Sequence, residues 1–306
     1  VIEYRQTSIT ENLALRARLI HAIRGFFSGS GFLEVETPVR IPAPAPEAYI
    51  DAVGTEGWYL QTSPELCMKR LLSAGYPRIF QICRCFRHSE RGDRHLPEFT
   101  ILEWYESRSD YTRQMDLCED LLGSVAHAAG NRETLVYRGQ SIDLTKPWDR
   151  ITVQTAFQTH ASMSMEDALS CDRFDEVMAC EIEPRLGRQK PIFMIDYPAS
   201  RAALSRLKTG GGTLAERFEL YIAGLELCNT FSELTDPEEQ RRRFERERDD
   251  RRDAEKPVYP MPEKFLSALA DMPEAAGSAL GIDRLTMLFA DTARIDDVVA
   301  FTPEEL

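Results

Sequence analysis

The sequence predicts an α+β fold, an antiparallel sheet flanked by helices, and three observations carry that prediction. RIFQICRCFR (78–87) and FTILEWYE (99–106) both alternate in the two-residue period of a strand and flank a single charged segment. RFELYIAGLELCNTFSEL (217–234) reads as two more strands broken near Gly224. Helical periods stand around these strands and do not separate each pair of them, which favours hairpin connections over a βαβ array.

In chain order, residues 10–30 form an amphipathic helix, with Leu13, Ile20, Ile23 and Phe27 at helical spacing, Thr10 as N-cap and Gly31 as the stop. FLEVETPV is a short strand stopped by Pro38, and Pro38, Pro42, Pro44 and Pro46 force an extended loop. In YLQTSPELCMKRLLSAG the first residues are a strand, Ser63 caps a helix, Pro64 opens it and Gly75 closes it. The hairpin 78–106 puts Arg87 on the face of Cys83 and Cys85, and Ile101, Glu103 and Tyr105 on one face of the return strand. Its link, HSERGDRHLPE, is too long for a tight turn and is a charged loop. Residues 112–129 are helical, and 130–190 carry mixed signals. PIFMIDYP is a strand. DPEEQRRRFERERDDRRD is a helix with Asp236 as N-cap, Pro237 at N1 and Glu239 at N3, and its mixed charge reads as a solvated face. GSALGIDRLTMLFAD is a strand running into a helix, with Leu285, Leu288 and Phe289 towards a core.

The 306 residues hold 50 acidic and 37 basic side chains, a net charge of −13, so attraction of nucleic acid by the whole molecule is not expected, though a local basic face stays open. No apolar run approaches the roughly 20 residues that span a bilayer, and VIEYRQTSIT is no signal peptide. The cysteine count is seven, an odd number without CxxC spacing, which points to free thiols in a reducing cytoplasm. Neither GxGxxG nor GxxxxGK[ST] occurs, so the familiar glycine-rich nucleotide loops are missing.

Glu219, Glu226 and Glu233 recur seven apart on strands that should be largely buried. A buried carboxylate needs a cation, whether metal, ligand amine or arginine; ordinary salt bridges or edge exposure would also serve. Arg87 ends a strand and Arg284 opens a helix, positions suited to phosphates but also open to surface arginines. Combined with Phe99 as an aromatic face, these groups suggest one pocket for a phosphate-activating ligase.

These residues resemble the catalytic core of class II aminoacyl-tRNA synthetases, in the lysine branch. GFLEVETP is similar to motif 1, which builds a dimer interface; FRHSERGDRHLPEFTILEWYE to motif 2; GSALGIDRL to motif 3. TSPELCMKRLL and ELCNTFSELTD resemble lysine-branch segments. The motif 1 strand begins near residue 32, which leaves no room for an anticodon-binding domain before it. A catalytic core of this kind over 1–306 resembles the elongation factor P–lysine ligase family. The resemblance implies a six- or seven-stranded antiparallel sheet, a homodimer, ATP and Mg²⁺, and elongation factor P as acceptor, with tRNA disfavoured.

It also implies roles. Arg87 holds the α-phosphate and the attacking carboxylate. His88, Ser89, Glu90, His95, Leu96, Phe99, Glu226, Leu227, Gly281 and Arg284 surround ATP, with adenine between Phe99 and Arg284 and the outer phosphates near His95 and Arg284. Glu219 and Glu226 ligate Mg²⁺. Ser63, Pro64 and Glu65 meet the backbone amine of the lysine. Glu233 pairs with its side-chain ammonium, helped by Glu103, Tyr105 and Asn229, while Phe231 and Ala279 line the pocket. Ser89 stands where the family has Glu, with Glu90 as its substitute, and Leu96 stands where it has Asn, so contact there falls to the backbone. Ala279, in place of the glycine usual in lysyl-tRNA synthetases, implies (R)-β-lysine over α-lysine. Lys69, Arg70 and the arginines of 241–252 are a solvated face or a dock for an acidic partner. A minimal tRNA-charging enzyme and an inactive amino-acid-binding paralogue are the alternatives.

Overall fold

The computed structural model describes residues 4–131 and 133–306. After a helical turn at Arg5–Ser8 comes α1 (Thr10–Gly29), which buries Leu15, Leu19, Ile23 and Phe27. Thr10 is its first helical residue and not its cap. Ile9 holds the N-cap position, and the Thr10 hydroxyl donates to the carbonyls of Gln6 and Thr7 in the preceding turn. Of FLEVETPV only β1 (Leu33–Glu34) pairs. α2 (Glu65–Ser73) follows, and Ser63 Oγ accepts from the Glu65 amide at 3.0 Å. Then come β2 (Arg78–Phe86), β3 (Glu98–Ser107), α3 (Tyr111–Ala128), β4 (Asp149–Thr152), β5 (Ile192–Pro198), β6 (Leu214–Ile222) and β7 (Leu225–Ser232). The chain continues with α4 (Pro237–Asp253), α5 (Glu263–Leu269), β8 (Ala275–Gly281) and α6 (Ile282–Phe289).

These strands form an eight-stranded sheet in the order β1-β2-β3-β8-β7-β6-β5-β4. Its six inner strands are antiparallel throughout, and the short edge strands β1 and β4 pair in parallel with β2 and β5. The sheet thus exceeds the expected six or seven strands by its short parallel edges.

Register separates the two faces. One row across the sheet runs Ile82, Leu102, Leu280, Cys228, Leu220 and Phe193. These residues face α1, α3 and α6 in the largest core, where Phe27 stacks on Phe80 at 4.9 Å. The adjacent row, one residue on and therefore on the opposite face, runs Gln81, Glu103, Ala279, Asn229, Glu219 and Met194. Two smaller cores cover the ends of this polar face. Leu66, Met68, Phe244 and Phe265 from α2, α4 and α5 pack near Ile79 and Tyr105. At the other end, Phe157, Phe174, Met178 and Ile182 pack near Met194, Tyr197 and Tyr221. The polar rows lie in the gap between these two cores.

The second of these cores explains the mixed signals of 130–190. The segment holds short helices at Val153–His160, Met165–Ser170 and Phe174–Val177, then a π turn at Met178–Ile182. It docks closely on β6. Gly187 has φ +65°, and a Cβ there would stand 2.4 Å from the Tyr221 carbonyl oxygen.

Two expectations about surface charge are corrected. Lys69 is fully buried and cannot dock a partner. Arg251 on α4 is also fully buried, donating to the carbonyls of Glu47, Ile50 and Pro257, to Asp51 Oδ1 and to the Tyr259 hydroxyl. A sequence dense in both signs of charge hides the few long side chains that turn inward.

Candidate active site

The end of the polar face near the charged hairpin loop carries Arg87 and Arg284. The Arg87 guanidinium lies over the Phe99 ring at 5.0 Å, and its buried Nε has no hydrogen-bond partner. A buried unsatisfied donor costs about 1–3 kcal/mol, and a bound oxyanion would satisfy it. Glu90 lies 3.7 Å from Arg87. Ser89 instead turns out to solvent, with φ +63° and its hydroxyl 2.8 Å from His88 Nδ1. The His88 amide donates to the Asp51 carbonyl at 2.6 Å, tying this loop to the proline-rich one.

Arg284 reaches across to four groups: Glu226 Oε2 at 2.9 Å, the Glu226 carbonyl at 2.9 Å, His95 Nε2 at 2.6 Å and the Arg94 carbonyl at 3.4 Å. Burial, with Arg284 alongside, pushes the His95 pKa down. Burial opposes ionisation of Glu226, but Arg284 overrides it and holds that carboxyl below the usual range. The guanidinium over the Phe99 ring is that of Arg87, while Arg284 is engaged with Glu226 and His95. The Leu96 and Leu227 side chains point into apolar cores, so only their backbones can face a ligand. Gly281 N-caps α6, with the Arg284 stem nearest to it.

The other half is an acidic pocket. Glu103 accepts from Ser63 Oγ at 2.6 Å and from the Tyr105 hydroxyl at 2.8 Å. The Lys69 ammonium stands 2.5 Å from Glu65 Oε1 and 2.5 Å from Glu233 Oε2. Burial pushes Glu103 up to about 7, and Glu65 adds to the shift. Burial also pushes Glu233 up to about 8, with Lys69 working against it. Pro64 is buried behind this corner, and Ala279 sits in register between Glu103 and Asn229. Phe231 pairs with Gly277, which has no room for a side chain: a Cβ would be 2.2 Å from Tyr105 Cε1 and 2.4 Å from Glu233 Oε1.

Between the halves, Glu219 pairs with Arg217 at 2.6 Å, and Arg217 Nε donates to Asn229 Oδ1 at 3.2 Å. The Arg217 guanidinium lies over Tyr197 at 4.3 Å and Phe231 at 5.5 Å. Among the described residues no three His, Cys, Asp or Glu side chains are grouped to hold a metal. Glu226 pairs in register with Tyr221, two residues from Glu219 on β6, and both are carboxylate oxygen donors of the kind that suits Mg²⁺.

The structure brings Arg87, Glu90 and Phe99 together, and Arg284 with His95 and Glu226, and gathers Ser63, Glu65, Glu103, Tyr105 and Glu233 in the acidic corner, while Pro64 is buried behind it, His88 and Ser89 are exposed, and the Leu96 and Leu227 side chains point into apolar cores. Sequence reasoning missed Gly277, Arg217, Glu183 and Glu47. Glu183, from the segment after the π turn, is pushed up to about 7 by burial and by Glu226 and Glu219. Glu47, in the proline-rich loop, is pushed up to about 7 by burial and by Glu65. Arg217 alone had a sequence signal, since it shares the strand parity of Glu219.

Comparison with known proteins agrees with this geometry. The family profile described as tRNA synthetases class II (D, K and N) matches residues 1–305. An elongation factor P–(R)-β-lysine ligase of Pectobacterium carotovorum is 39% identical over 320 residues, covering 98% of each chain. Another, of Sodalis glossinidius, is 40% identical over 311 residues, covering 96% of this chain and 95% of that one. A lysine–tRNA ligase of Moorella thermoacetica is 37% identical over 325 residues, covering 98% of this chain but 65% of that one. The chain, whose sheet face carries arginines at one end and acids at the other, belongs to the class II tRNA synthetase family and, within it, to the elongation factor P–(R)-β-lysine ligase family.

Proposed function

We propose that this chain activates (R)-β-lysine with ATP and transfers it to a lysine side chain of elongation factor P. The observation that carries this reading is the charge division of one sheet face: Arg87 and Arg284 lie at one end, and Glu65, Glu103 and Glu233 at the other. An amino acid with two amines and one carboxylate fits that division. Its amines meet the acids, and its carboxylate points to Arg87 and the α-phosphate.

In the first step the carboxylate attacks the α-phosphorus in line, the bond to the β-phosphate oxygen breaks, and pyrophosphate leaves. Arg87 holds the α-phosphate, while Arg284 and His95 hold the outer phosphates, so catalysis is positioning and charge stabilisation. Glu219 and Glu226 would hold Mg²⁺, which supplies charge neutralisation between phosphates when bound. In the second step a neutral ε-amine of the acceptor attacks the adenylate carbonyl, an amide forms, a proton leaves the amine, and AMP departs. No side-chain nucleophile is needed.

The 37% identity to a lysine–tRNA ligase gives tRNA charging as the second reading. Support for a homodimer comes from Leu33 on the edge strand β1 and Tyr76 just before β2, both exposed large apolar side chains. Among the described residues no helix is long and apolar enough to cross a membrane, and a cytoplasmic site of action completes the reading.

The test is ATP–pyrophosphate exchange with α-lysine and (R)-β-lysine, followed by transfer to elongation factor P or to lysine tRNA. Exchange favouring β-lysine with transfer to the protein is the expected result. Exchange with neither amino acid refutes activation, and transfer to tRNA alone replaces the acceptor.

A further inference from the structure

The acidic pocket contains a cation of its own. Lys69 lies on α2, one helical turn after Glu65; its ammonium donates to Glu65 Oε1 at 2.5 Å and stands 2.5 Å from Glu233 Oε2, an ion pair without hydrogen-bond alignment. Its side chain is completely buried. No second basic side chain among the described residues pairs with either carboxylate. The other groups around it are fixed. Glu103 and Tyr105 approach from β3, tied to each other and to Ser63. From α5 come only the apolar Phe265, Leu266 and Leu269, since Glu263 is exposed on Arg241. Glu47 approaches Glu65 from the proline-rich loop.

We propose that Lys69 is a positioning residue for lysine binding: an internal counter-ion that takes one oxygen of Glu65 and one of Glu233 and leaves the other oxygen of each for a substrate amine. Glu233 Oε1 lies beside Gly277, where an added Cβ would come within 2.4 Å of it. Glu65, Glu103 and Glu233, with Glu47 beside Glu65, crowd like charges into one buried corner, and Lys69 is the cation paired with Glu65 and Glu233. Without Lys69 the three acids would face one another with no resident cation, and protonation would relieve the repulsion. The pocket would then enter its ionised, amine-binding form only at higher pH.

This inference rests on the lysine-activating reading, and the experiment separates the two. Lysine-dependent ATP–pyrophosphate exchange is measured across pH for the wild-type chain, Lys69→Met and Lys69→Arg, with each amino acid. In Lys69→Met the KM for the amino acid should rise by about tenfold or more at neutral pH, the size expected when a buried ion pair loses one partner. The KM for ATP should stay within about twofold, because Lys69 makes no contact with the nucleotide half. The acid limb of kcat/KM for the amino acid should move to higher pH by about one unit, and Lys69→Arg should return it towards the wild-type position. A purely structural lysine would lower stability but leave that limb in place. If Lys69→Met does not fold, Lys69→Gln, uncharged but able to hydrogen-bond both acids, carries the same comparison. An unmoved limb together with unchanged KM in the neutral variant overturns the inference while the lysine reading stands. Absence of exchange in the wild-type chain overturns the lysine reading itself.

Discussion

Gly277→Ala tests how closely the pocket is built. Gly277 lies mid-strand in β8, between Tyr105 on β3 and Phe231 on β7. An added methyl would meet Tyr105 Cε1 at 2.2 Å, Tyr105 Cδ1 at 2.4 Å and Glu233 Oε1 at 2.4 Å. Carbon contacts settle near 3.5–4.0 Å, so the ring and the carboxylate must together retreat by roughly 1 Å or more. Neither has a free direction: Tyr105 is packed in the α2–α5 core and bonded to Glu103, and Glu233 is held by Lys69. Overpacking of this kind costs about 1–3 kcal/mol of stability. A displacement of about 1 Å in a positioning group can cost on the order of 10²-fold in rate. Urea unfolding should show the first loss, and amino-acid-dependent pyrophosphate exchange the second, with the KM for ATP little changed. A variant with wild-type exchange kinetics would falsify the placement of the amine pocket over Gly277.

Four further outcomes follow from the same geometry. Arg284→Ala should lower exchange by about 10²-fold or more, since Arg284 holds His95 and Glu226 and faces the outer phosphates; full activity would move the phosphate site elsewhere. Arg251→Met should destabilise the fold by about 3 kcal/mol or more by leaving the Glu47, Ile50 and Pro257 carbonyls and Asp51 without their buried donor, read as a lower urea midpoint at unchanged slope. Ala279→Gly should narrow the preference between lysine isomers by about tenfold, measured as the ratio of their kcat/KM values. The raised Glu103 and Glu233, about 7 and about 8, make the free protein bind more protons than its unfolded chain, so their contribution to stability is full below the ordinary carboxyl range and is lost as pH rises through 7–8. A diamino ligand favours the ionised acids, so its stabilisation in thermal melts should be larger at pH 8.5 than at pH 6, and Glu233→Gln should flatten that difference.

The antiparallel pairs and the pocket face were legible because they rest on local period. Strand parity alone puts Ile101, Glu103 and Tyr105 on one face, and the structure has them so. Asp236 capping α4 was legible for the same local reason: its side chain accepts from the Glu238 and Glu239 amides. What failed to show was set by distant contacts. Lys69 and Arg251 read as surface cations because a helix pattern does not reveal which long side chain turns under its neighbours. Gly277 stands in a run of small residues, and the Tyr105 ring on β3 together with the Glu233 carboxylate makes it obligatory. The segment 153–186 breaks into helices of eight residues or fewer and a π turn, too short for a clear period. Its fold comes from Phe157, Phe174 and Met178 packing on the sheet.

A net charge of −13 and a nucleotide-binding face are compatible because the charges that matter are set by register and not by sum. Glu103, Ala279, Asn229 and Glu219 fall in one row because four strands align at those positions. The row itself carries acids and an amide, and the cations come from its margins: Arg87 from the end of the hairpin, Arg284 from the first turn of α6, Lys69 from α2. Each margin cation lies against an acid, at 3.7 Å for Arg87–Glu90, 2.9 Å for Arg284–Glu226 and 2.5 Å for Lys69–Glu65. On the proposed function the two arginine pairs would meet phosphate oxygens, which compete with the carboxylates for the same guanidinium groups. The third has no phosphate to meet and stays closed. The nucleotide half is therefore expected to rearrange its ion pairs on loading, while the lysine half keeps the geometry it already has. Salt dependence divides the two: raising ionic strength should weaken ATP binding through the half-exposed arginine pairs and leave the amino-acid KM nearly constant, because Lys69 and Glu233 are shielded from mobile ions.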